Sequence, residues 1–60
     1  MKKKELKNLA KKIANAEYII QTSSDEKEIK RAQMEIMTLS GHVNSLEDIE
    51  IIDEMVQEFL

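Results

Sequence analysis

Apolar residues recur at Leu6, Leu9, Ile13, Ala16 and Ile20, steps of three and four that place them on one stripe of an α-helix, with Ala10 and Ala14 along its margin. The spacing predicts a first helix over about residues 2–21. A second stripe, Ile29, Ala32, Ile36, Leu39 and Val43, repeats the pattern and predicts a helix over about residues 24–40. A third apolar set, Leu46, Ile49, Ile52, Val56, Phe59 and Leu60, gives a broad face to a helix over about residues 46–59. Strand-period alternation is absent over any useful length, and so are internal repeats.

Polar punctuation falls between these stripes. Ser23 precedes Glu26 by three residues, the spacing of a capping box at the start of the second helix. Gly41, the single glycine, stands where a left-handed residue would end that helix, with Val43 folding back as its hydrophobic contact. Ser45 with Asp48 three residues later caps the third helix, where Glu47 and Asp48 also complement the helix dipole. Short connections favour antiparallel neighbours, so the expected fold is all-α: either an up-down-up bundle or a long helical hairpin with an added arm, in one small domain spanning 1–60. Ala10, Ala14, Ala16 and Ala32 permit close helix approach.

Length then changes the picture. A domain of 60 residues hides only about 60% of the surface its unfolded chain exposes, and the absence of cysteine removes disulfides and thiolate zinc sites as staples. Self-association or docking into a larger assembly is therefore expected. Once the three stripes are assigned to the core, Tyr18, Ile19, Met34, Met37 and Ile51 are left over. They are the candidate partner interface, and methionine suits an adaptable contact because its side chain is flexible and polarizable.

Charge sharpens this further. All nine basic side chains lie in residues 1–31, which carry five acids and hence a formal +4. Residues 32–60 carry seven acids and no lysine or arginine, a formal −7, so the net −3 conceals a dipolar chain. Lys4, Lys7 and Lys11 on the first helix and Glu47, Glu50 and Glu54 on the third are the expected charge-orienting residues, within one subunit or across a subunit boundary. Exposed pairs of this kind choose register and partner more than they stabilise.

Chemistry finds little purchase here. His42 has Asn44 and Ser45 nearby but no second histidine or cysteine, too few ligands for zinc. Neither a calcium-loop pattern nor a Glu-x-x-His signature occurs among the carboxylates. A chain with one glycine and one histidine lacks a phosphate loop and a nucleophile with a matching base, so neither an enzyme nor a cofactor or metal site is expected. Lys2, Lys3, Lys4, Lys7, Lys11 and Lys12 raise the alternative of a nucleic-acid-associated accessory protein, but arginines and interleaved aromatics are missing and the third helix would repel phosphates. No apolar window is long enough for a membrane span, and neither a signal peptide nor a small-molecule substrate is expected. The eight-to-one excess of lysine over arginine suits a low-GC bacterium or its phage, and hence a cytoplasmic setting or a virion interior. The function that fits best is a non-enzymatic protein-protein interaction protein, a subunit of an assembly or a compact regulator or inhibitor, docking on a protein partner or on itself through apolar helix faces.

Overall fold

The computed structural model describes residues 2–60, and they form three helices: α1 (Lys3–Thr22), α2 (Glu26–Ser40) and α3 (Leu46–Phe59). α1 and α2 make an antiparallel hairpin through a three-residue turn, with Ser23, Ser24 and Asp25 between them. α3 then returns along α1. His42, just after α2, lies beside Glu5 and Leu9 near the start of α1, whereas Phe59 and Leu60 lie beside Ala14 and Tyr18 in its second half. Helices α1 and α3 thus run in the same sense, and α1 is the spine on which both others pack.

The local reasons for the helix ends differ in detail from those read in the sequence. α2 begins two residues later than expected because Asp25, not Ser23, is its N-cap: the Asp25 carboxylate accepts from the Lys27 N–H at 2.9 Å. An aspartate in that place satisfies an orphan donor and complements the helix dipole, so it outcompetes the serine two residues earlier. Ser23 still contributes, accepting from the Asp25 N–H and donating to a Glu28 carboxylate oxygen at 2.8 Å. Ser45 does stand at the N-cap of α3, but its hydroxyl makes no capping bond.

Gly41 likewise departs from the expected left-handed cap. Its φ is −65° and ψ −18°, ordinary right-handed geometry, and the chain leaves α2 by tightening. The His42 N–H donates to the Leu39 carbonyl and the Val43 N–H to that of Ser40, three-residue steps that satisfy the last carbonyls without a positive φ. A Cβ on residue 41 would meet the Thr38 and Met37 carbonyl oxygens at 3.4 and 3.5 Å, ordinary contact distances. Gly41→Ala is therefore expected to stabilise the fold by about 0.4–1 kcal/mol through loss of unfolded-state freedom. Thermal unfolding followed by circular dichroism should show a midpoint a few degrees higher; a lower midpoint would mean that the glycine is needed for its conformational range.

The core is thin and rich in alanine. Leu6, Ala10, Ile13 and Ala14 of α1 pack with Ile52 and Val56 of α3, and Leu9, Ile36, Leu39, Val43, Ile51 and Met55 close around them half-buried. Ala16 and Ala32 are buried outside this cluster, Ala32 on the helix that packs only on α1. The margin alanines of α1 are more deeply buried than Leu9 or Ile20 because α1 serves two neighbours, which widens its covered arc beyond a single stripe. For the third helix the opposite holds: of the six apolar positions expected to form its face only Ile52 and Val56 are buried, and Leu46, Ile49, Phe59 and Leu60 stay exposed. One neighbouring helix cannot cover so broad a face.

Candidate functional site

α2 and α3 both rest on α1 but do not pack against each other. Between them runs a groove of about 170 Å³ whose floor is Ile13 and Ile52, with Ile36 on the α2 wall, Val43 in the turn that follows α2, and Ile49 on the α3 wall. Glu17, Ser40 and Asp53 supply its polar edge. Accessible surface reflects the same openness: the chain exposes 4812 Å², against about 4,000 Å² expected of a compact monomer of 7.0 kDa.

A second, wider hollow of about 360 Å³ opens on the α1 and α3 side, lined by Lys11, Ala14, Asn15, Tyr18, Phe59 and Leu60. The Lys11 ammonium stands over the Phe59 ring, 6.0 Å from its centroid, at the outer limit of a cation-π contact. Tyr18 is 60% exposed there.

The five leftover apolar residues are not brought together. Tyr18 belongs to the hollow just described, while Ile19 lines a separate one with Glu28, Arg31, Ala32 and Glu35 along the α1 and α2 seam. Met34 and Met37 are 67% and 75% exposed on the outer side of α2, away from Ala32 and Ile36. Ile51 is half-buried and packs against the core cluster. The exposed residues missed in the sequence are Leu46, Ile49, Phe59 and Leu60; the available signal was that α3 carries more apolar arc than one neighbour can cover.

Charge falls out as two exposed rows. Glu47, Glu50, Glu54 and Glu58 lie on the side of α3 opposite Ile52 and Val56, and thus away from α1. Lys4, Lys7 and Lys11 follow the exposed flank of α1, with Tyr18 continuing their line. Among the described residues no ion pair joins these lysines to Glu47, Glu50 or Glu54. Helix phase explains this: the buried positions of α3 fix its rotation, and the glutamates are carried to the far side.

His42 is exposed, in a hollow lined by Glu5, Asn8, Leu9 and Lys12, with no nucleophilic hydroxyl among them. Among the described residues no group of three histidines or carboxylates is placed to hold a metal ion, and no helix is long and apolar enough to cross a membrane. No family model matches the chain, and no curated protein or solved structure shows significant similarity to it.

Proposed function

We propose that the chain is a non-enzymatic interaction protein, a subunit or a compact regulator, that docks on another protein through apolar helix faces. One observation carries the reading: α2 and α3 lean on a common spine without closing on each other, which leaves an apolar groove where a fourth helix would complete a bundle. The groove suits an amphipathic helix whose apolar anchors rest on Ile13 and Ile49 and whose basic flank meets Glu17 and Asp53. Apolar contact supplies affinity and the acids supply orientation.

The test is copurification of the chain at native level from its source cell, beside Ile49→Glu. Ile49 is already 40% exposed, so the substitution should leave helicity intact while weakening a stoichiometric protein partner by about tenfold or more. Met34→Glu with Met37→Glu is the companion variant. Loss of the partner there but not with Ile49→Glu would move the dock to the outer side of α2, and a chain that copurifies with no protein at all would overturn the reading.

A further inference from the structure

We infer that one partner of this chain is a second copy of itself, joined head to tail, with the lysine row of α1 on one copy against the glutamate row of α3 on the next. This rests on the interaction reading above and names a partner for it. Lys4, Lys7 and Lys11 step by three and four residues, and Glu47, Glu50 and Glu54 step identically. Rows with the same steps on two helices have the same rise, roughly 10 Å from first to last, so the three charges on one can meet the three on the other in a single register. Both rows are exposed, and among the described residues no ion pair joins them; the Lys11 ammonium stands instead over the Phe59 ring.

Apolar surface accompanies the charge on both sides. Tyr18 extends the line of the lysine row and is 60% exposed, and Leu46 flanks the glutamate row at 80% exposed. A stable contact needs about 600 Å² from each copy, roughly one-eighth of the 4812 Å² this chain exposes. The basic row lies on the spine and the acidic row on the far side of α3, so each copy offers one surface and accepts the other. That is a heterologous contact, which extends into a ring or a short filament instead of stopping through two-fold symmetry. Nucleic acid is the poorer occupant of the lysine row, because the chain has a single arginine and a single tyrosine to accompany the lysines in phosphate and base contact.

Sedimentation velocity on the purified full chain tests this. At about 0.02 M salt the weight-average mass should rise with concentration, and at about 0.5 M salt it should fall toward the monomer as the rows are screened. Lys7→Glu with Lys11→Glu, and separately Glu50→Lys with Glu54→Lys, should each weaken low-salt association at least tenfold while helicity is retained, since all four positions are exposed and Glu50 and Glu54 lie beyond the first residues of α3. An equimolar mixture of the two variants should restore association, because each then offers the row the other lacks. Lys27→Glu with Lys30→Glu changes net charge equally on α2 and should leave association unchanged. A wild-type monomer at low salt, failure of the mixture to recover, or equal weakening by the α2 variant would each overturn the proposal. A monomeric chain that still loses a cellular partner on Ile49→Glu would overturn this inference alone and leave the groove reading standing.

Discussion

Ile52→Ala is expected to leave the chain largely unfolded at room temperature. Ile52 is 4% exposed and is one of only two α3 side chains buried against α1, the other being Val56. Removing a buried isoleucine down to its Cβ typically costs 2–5 kcal/mol, about the whole stability a single core of this size supplies. Local relief is small, because the facing α1 residues include Ala10 and Ala14, which have no side-chain length with which to fill the space. Urea unfolding followed by helical ellipticity should show the midpoint falling close to zero denaturant. The conservative step Ile52→Val should cost only about 0.5–1.5 kcal/mol and preserve a cooperative transition. A native-like midpoint for the alanine variant would mean that α3 is held chiefly by something other than this core.

The same residue shows which part of the architecture was legible in the chain. Three helices follow from apolar spacing alone, since each stripe is an intrachain pattern that needs no knowledge of its neighbour. The small residues at 10, 14, 16 and 32 marked the close approaches, and all four are buried. What the stripes could not show was how many neighbours each helix has. α1 has two and α3 has one, so Ala10 and Ala14 moved from margin to centre while Phe59 and Leu60 moved from core to surface. Local chemistry misled where two residues competed for one role, as Ser23 and Asp25 did at the N-cap, and at Gly41, where tight turns made a left-handed residue unnecessary. Charge segregation was plain in the sequence, but only the rotation of α3 on α1 shows that its glutamates face outward.

The hairpin seam leads to the second expected result: Ala32→Leu should detach α2 while α1 and α3 remain paired. Ala32 is 3% exposed and is the one buried residue of α2, which packs on α1 alone. A small residue there lets the two helices approach closely, and the half-buried Ile36 and Leu39 of the same helix pack on the core cluster. Three additional carbons at that point force either strained rotamers or a wider seam, costing about 1–3 kcal/mol, and a wider seam also weakens the contacts on either side. The Asp25 cap, worth about 1 kcal/mol, and intrinsic propensity cannot hold a helix of 15 residues once its packing is lost. Amide hydrogen exchange should therefore show protection falling through Glu26–Ser40, while amides of α1 and α3 facing the Leu6, Ile13, Ile52 and Val56 cluster keep much of theirs. Gln33→Leu, one position along and exposed, adds the same kind of bulk outside the seam and should change exchange little. Uniform loss of protection across all three helices would mean that the spine and its two arms unfold as one unit, and that the groove between the arms cannot open without melting the core.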